Sequence, residues 1–170
     1  MAIAVYPGTF DPITCGHLDI VERSASLFDK LIIGIYENPA KHPLFSVEQR
    51  ILMVEEALTK FPNVQVKPFK GLTVDFIHQL GVKVMIRGLR ASSDFEREFE
   101  MALMNKKLAP DIELVCLMTS SQYQFLSSSL IKEVAMLGGN LDGMVPVHIA
   151  VALKKRFNET SDIPTGGSKT

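Results

Sequence analysis

Eleven consecutive residues, Pro7-Gly8-Thr9-Phe10-Asp11-Pro12-Ile13-Thr14-Cys15-Gly16-His17, join an apolar run to a helical pattern. The glycines and prolines shape a tight loop. Gly16 removes a side chain where a phosphate would approach the helix. The free N–H groups and the positive dipole end of that helix favour an anion there. Thr14-x-Gly16-His17 places an imidazole on the first helical turn, facing the same point. A Gly-His pair alone is equally a structural turn with a capping histidine. Strand, glycine loop and helix start together favour a phosphate site with a hydrogen-bond donor beside it.

Other residues could hold charged groups near that point. Arg87 and Arg90 flank Gly88 after the fourth candidate strand, and a guanidinium matches phosphate with paired donors. Ser127, Ser128 and Ser129 open a helix, offering hydroxyls and N–H groups to an anion or serving as caps. Glu98, Met101 and Asn105 are spaced three and four apart and share one helix face. A carboxylate, a thioether and an amide together suit a channel wall, although Met101 and Met104 also read as core filler. Lys41 lies in the polar loop Glu37–Phe45, which carries Pro39 and Pro43 and could close as a flap. His42, His78 and His148 match no catalytic position, and Cys15 reads as a spectator thiol rather than a redox site.

The elements that must position these residues alternate along the chain. Short runs rich in Val and Ile at Ile3–Tyr6, Leu31–Tyr36, Val64–Pro68, Val82–Ile86 and Ile112–Leu117 read as strands buried on both faces. Helical patterns occupy His17–Phe28, Val47–Lys60, Thr73–Leu80 and Asp94–Leu108, with capping boxes expected at Ser46/Gln49 and Ser93/Glu96. A further helix spans Ser128–Leu137 before Gly138-Gly139, and the last opens at Pro146 and runs to about Phe157. The alternation predicts an α/β fold: a doubly wound (Rossmann-like) parallel five-stranded sheet with helices on both faces, in a single domain. In such folds ligands bind beyond the carboxyl ends of the strands. The domain is expected over 1–157, with 158–170 a disordered tail.

Bulk properties set the class. The 170 residues fit one domain with a sizeable core. A formal net charge of −1, without a basic stripe, argues against a nucleic-acid partner. No segment approaches the roughly 20 apolar residues of a membrane span, and the start lacks a signal-peptide pattern. The cysteines, Cys15 and Cys116, form no metal-ligand or CxxC pattern, which suits a reduced, cytoplasmic protein.

The loop Tyr6–His17 resembles the nucleotide loop of the T/H-x-G-H nucleotidyltransferases. Ile86-Arg-Gly-Leu-Arg90, Asp94-Phe-Glu-Arg-Glu98 and Leu126-Ser-Ser-Ser-Leu-Ile-Lys-Glu-Val134 narrow the likeness to the bacterial phosphopantetheine adenylyltransferases. The similarity covers about Ala2 to Phe157. It implies a reversible transfer of AMP from ATP to 4′-phosphopantetheine, giving dephospho-coenzyme A and pyrophosphate, with His17 as the catalytic group. For ATP it implies Thr9, Phe10, His17, Gly88, Leu89, Arg90 and Glu98. The same co-substrate would meet Tyr123, Gln124, Phe125 and Leu126 around adenine, and Ser127, Ser128 and Ser129 around the polyphosphate. For the acceptor it implies Thr9, Lys41, Leu72, Thr73 and Arg87, with Met101, Met104 and Asn105 along the pantetheine arm. Mg²⁺ is implied on the polyphosphate through phosphate oxygens and water, without a dedicated protein metal site. The likeness also implies a homohexamer, a dimer of trimers.

Two rivals stay open at this level. One is a sibling transferase acting on nicotinamide mononucleotide or using CTP. Such enzymes carry a threonine and an arginine after the serine, a motif that Ser127-Ser-Ser-Leu-Ile-Lys132 lacks. The other is a non-catalytic nucleotide sensor, against which His17, Lys41, Arg87 and Arg90 together argue.

Overall fold

A computed structural model describes residues 1–37, 42–90 and 92–161, with the side chains at 92–94, 97 and 159–161 outside that description. Lys41 and positions 162–170 also lie outside it, so the middle of the expected flap, 38–41, and most of the expected tail do too. Five strands, β1 (Ile3–Gly8), β2 (Lys30–Tyr36), β3 (Val64–Phe69), β4 (Val84–Leu89) and β5 (Glu113–Met118), form one parallel sheet in the order β3-β2-β1-β4-β5. The helices are α1 (Cys15–Leu27), α2 (Val47–Ala57), α3 (Thr73–Gln79), α4 (Ser92–Leu108), α5 (Ser128–Met136) and α6 (Val147–Ser161). This is the expected doubly wound architecture. The strand order reverses between β1 and β4, and their carboxyl ends diverge there to leave a crevice.

Period-two alternation along the central strands divides the core between two faces. Ala4 and Tyr6 of β1, Leu31, Ile33 and Ile35 of β2, and Ile86 of β4 pack with Ile20 and Val21 of α1, Val54 of α2, Ile131 of α5 and Ile149 of α6. On the other face Val5, Ile32 and Met85 pack with Val74, Phe76 and Ile77 of α3. Central strands buried on both faces read as continuous apolar runs, which is why they are visible in the sequence.

Several boundaries differ from expectation. β4 begins at Val84 rather than Val82 and continues through Arg87, Gly88 and Leu89, which pair with Cys116, Leu117 and Met118. Polar Arg87 ends the hydrophobic signal, but ladder hydrogen bonding depends on the backbone and runs on. Gly88 is needed there, because a Cβ would stand 2.9 Å from Ile20 Cγ1. The capping box at Ser46 and Gln49 forms with both reciprocal bonds. The Ser93/Glu96 box involves a side chain outside the described residues. α6 continues to Ser161, so 158–161 belong to a helix and not to an unstructured tail. No proline or glycine follows Phe157 before Pro164, so the backbone supplies no stop at Asn158.

Candidate active site

A cavity of about 630 Å³ opens at the β1/β4 switch point. Its wall includes Thr9, Phe10 and His17 from the first loop and α1, Arg87, Gly88 and Arg90 from β4 and its end, Glu98 and Met101 from α4, and Leu126 to Ser129 before and within α5. The loop is built around Phe10, which holds the left-handed φ of 47° and is buried at 3% exposure. Its ring lies edge-on to both Tyr6 (centroids 5.4 Å apart) and His17 (5.1 Å). Gly8 is required by this packing: a Cβ there would sit 2.8 Å from Phe10 Cε2. Gly16 is different. A Cβ there meets Tyr123 O at an ordinary 3.5 Å, so its bareness serves the cavity it lines rather than local packing.

Local capping sets the state of His17. Thr14 is the N-cap of α1; its hydroxyl oxygen accepts from the His17 N–H, and its own N–H donates to His17 Nδ1 at 3.1 Å. An Nδ1 that accepts carries no proton, so the neutral ring bears its hydrogen on Nε2. Burial first, then the charges of Arg90 and Arg87, push the His17 pKa down to about 4. The imidazole is therefore uncharged at neutral pH and presents an N–H donor. Burial likewise pushes the Tyr6 phenol up to about 12, keeping it an O–H donor in the same wall.

Arginines occupy the β4 side. Arg87 donates from Nε and Nη2 to the Glu98 carboxylate, both at 2.6 Å, and from Nη1 to Pro7 O at 3.0 Å. Burial works against the Arg87 charge, but the Glu98 bonds outweigh it and raise the pKa. Arg90 donates to Leu126 O at 2.7 Å, tying the end of β4 to the segment before α5. On the far wall Ser127 caps α5 by accepting from the Leu130 N–H, and the Ser128 hydroxyl donates to Pro12 O at 2.8 Å. The Ser128 proton thus serves the fold here, whereas the Ser127 hydroxyl, which only accepts, keeps its proton to donate beside the first-turn N–H groups of α5.

Three polar residues of this region escaped sequence reading. Asp11, 4% exposed, accepts from Leu44 N–H, Phe45 N–H and Lys132 Nζ. Lys132 lines the cavity beside the serines, one turn further along α5. Arg50, 1% exposed, donates to Phe45 O, Thr9 O and Tyr36 O. Periodicity carries no signal for such long-range pairs. A faint one was available in Lys132, which recurs four residues after Ser128 on the same helix face.

The remaining expected residues lie at varied distances from this centre. Leu89 is buried in β4. Tyr123, Gln124 and Phe125 lie in and after a 3₁₀ turn, Ser121–Tyr123, that follows β5. Leu72 and Thr73 stand at the start of α3, and Met104 and Asn105 lie further along α4 than Met101; none of these four borders the cavity. Met101 and Met104 are half exposed or more, so neither fills the core.

A parallel sheet with two arginines, a neutral histidine donor and two helix N-termini at its switch point defines a nucleotide-binding α/β protein equipped for phosphate transfer chemistry. Residues 5–134 match the cytidylyltransferase-like family model. The phosphopantetheine adenylyltransferase of Thermomicrobium roseum is 60% identical over 91% of this chain and 94% of its own. That of Carboxydothermus hydrogenoformans is 55% identical over 94% and 98%. A solved structure from Vibrio parahaemolyticus, provisionally assigned as a nicotinate-nucleotide adenylyltransferase, superposes with a TM-score of 0.65 over 91% of this chain and 99% of its own. At 14% identity it shows the fold alone. The chain belongs to the cytidylyltransferase-like family and, within it, to the phosphopantetheine adenylyltransferases.

Proposed function

We propose that this chain is the enzyme that transfers the adenylyl group of ATP to 4′-phosphopantetheine, giving dephospho-coenzyme A and pyrophosphate, reversibly, in coenzyme A biosynthesis. The observation that carries the chemistry is the neutral His17, with its Nε2–H in a cavity walled by Arg87 and Arg90. The identity of the substrates rests on relatives at 50–60% identity over nearly the whole chain.

A phosphate monoester is largely dianionic at neutral pH. One of its oxygens can attack the α-phosphorus of ATP without a general base, and the bond to pyrophosphate breaks as the new P–O bond forms. The protein's tasks are then alignment and stabilisation of charge. His17 donates to an α-phosphate oxygen as negative charge grows on it. Arg87, with Lys41, holds the acceptor phosphate, which takes the place of Glu98 on the guanidinium fork. Arg90 and the start of α5 steady the departing pyrophosphate.

Mg²⁺ enters this scheme with ATP. Among the described residues no group of three or more His, Cys, Asp or Glu could hold a metal. Of the cavity carboxylates, Asp11 is engaged by Lys132. In this scheme the ion would ride on phosphate oxygens and water.

The proposal extends to a cytoplasmic homohexamer, a dimer of trimers. The apolar side chains exposed on α4, Phe95, Phe99, Leu103, Met104 and Leu108, support burial against other copies. No helix among the described residues is long and apolar enough to cross a membrane.

Pyrophosphate release over several acceptors tests the reaction. Turnover with ATP, Mg²⁺ and 4′-phosphopantetheine is expected, and excess pyrophosphate should drive dephospho-coenzyme A back to ATP. Turnover of nicotinamide mononucleotide with none of phosphopantetheine would overturn the assignment.

A further inference from the structure

The nucleotide segment between β5 and α5 is held in place by a residue outside the cavity. Asp19 lies on α1, two residues beyond His17, and its side chain is 11% exposed. Its Oδ2 accepts the Ser120 N–H at 3.0 Å and its Oδ1 accepts the Ser120 hydroxyl at 2.5 Å, across 101 residues of chain. Arg23, one turn further along α1, lies 3.6 Å from the same carboxylate and donates to Met118 O at the end of β5. The segment therefore leaves the sheet clamped to the helix that carries His17.

Downstream of this clamp, Ser121–Tyr123 form the 3₁₀ turn, and Gln124–Ser127 run irregularly to α5. The far end is held by Arg90 on Leu126 O and by the Ser128 hydroxyl on Pro12 O. Backbone N–H and C=O groups outside helix and strand are what can read the flat edge of a base, and their aim depends on where each end is fixed. Asp19 supplies the β5 end of that fixation.

We propose that Asp19 is a positioning residue for nucleotide selectivity: its two bonds to Ser120 fix the 121–127 segment so that adenine is preferred over other bases. The inference rests on the proposed use of ATP. It assigns no contact between Asp19 and the nucleotide, and it separates base selection from the phosphate chemistry at His17.

Calorimetry with ATP, GTP and CTP on the full chain, without acceptor, tests it, alongside steady-state rates. Asp19→Asn keeps the volume but gives one Ser120 donor an amide N–H₂ in place of an oxygen. ATP binding should weaken about tenfold, and the preference for ATP over GTP and CTP should shrink by a similar factor. The kcat at saturating ATP and the acceptor KM should stay within about threefold, because the residues that hold the phosphates are untouched. Ser120→Ala, which removes one of the two bonds, should give an intermediate loss of preference and covers the case in which Asp19→Asn does not fold. Equal weakening for all three nucleotides in both variants, or a fall in kcat with preference intact, would overturn the inference while leaving the reaction standing. A wild-type protein that binds the three without preference overturns this inference alone, whereas no turnover with ATP would overturn the proposed reaction.

Discussion

At His17 the chemistry turns on protonation. The pKa near 4 makes the ring neutral, and the Thr14 N–H on Nδ1 places its proton on Nε2. A donor that strengthens mainly in the transition state should affect kcat and kcat/KM together. His17→Ala is expected to bind ATP within a few-fold of wild type while kcat falls on the order of 100- to 1,000-fold. Calorimetry beside steady-state rates checks this, and lost ATP affinity with preserved kcat would make the histidine a ground-state anchor. The pH dependence has a definite sign. A histidine lowered from 6.5 to about 4 favours the folded state fully above pH 6.5, and that contribution is lost as pH falls towards 4. The thermal midpoint of the unliganded protein should fall across that window, and less so in His17→Ala. An acid limb in kcat/KM near pH 6 should instead come from the second ionisation of the acceptor phosphate, at about 6. It should survive, at the same midpoint, in the slow turnover of His17→Ala.

Among the elements, the loop after β1 depends on Arg50 of α2. One buried guanidinium satisfies Thr9 O in that loop, Tyr36 O at the end of β2 and Phe45 O just before α2. Burial lowers its pKa, yet the carbonyls keep the charge solvated inside the protein. Arg50→Met would leave these carbonyls without their donor and should cost about 3 kcal/mol or more. The ligand-free protein should unfold at lower denaturant, with the Phe10 loop loosened, so kcat should fall too. An unchanged denaturation midpoint would show that water replaces the guanidinium. Elsewhere the capping of α2 was readable, because Ser46 stands three residues before its partner Gln49, whereas the Thr14 cap, which starts α1 at Cys15 rather than His17, was not read. The course of β4 through Arg87 was not, since a strand continued by backbone bonding alone leaves no apolar trace.

For the molecule as a whole, α4 is the open question. Phe95 and Phe99 stack at 6.0 Å while both remain more than half exposed, and Leu103 extends the same stripe. In the proposed hexamer this stripe is the surface expected to be buried against another copy. Light scattering should give about 113 kDa, six times 18.8 kDa, and Phe99→Glu should lower that mass by placing a charge in the interface. A wild-type monomer at micromolar concentration would refute the assembly and leave the chemistry intact.

What the sequence by itself determined is local and periodic. Apolar runs located the strands, glycine and proline marked the loop after β1, and the spacing of Arg87, Arg90 and the serines put cations and helix starts at one end of the sheet. The tertiary structure alone decided which polar groups meet. Glu98 lies on Arg87, Lys132 on Asp11 and Ser120 on Asp19, across separations of 11, 121 and 101 residues. It also decided that Ser128 spends its hydroxyl proton on the fold, and that Leu72, Thr73, Met104 and Asn105 stand off the central cavity. The physical reason is one of range. Propensity, capping and hydrophobic period act within a few residues, whereas a hydrogen-bonded pair depends on strand order and helix placement, which no local pattern encodes.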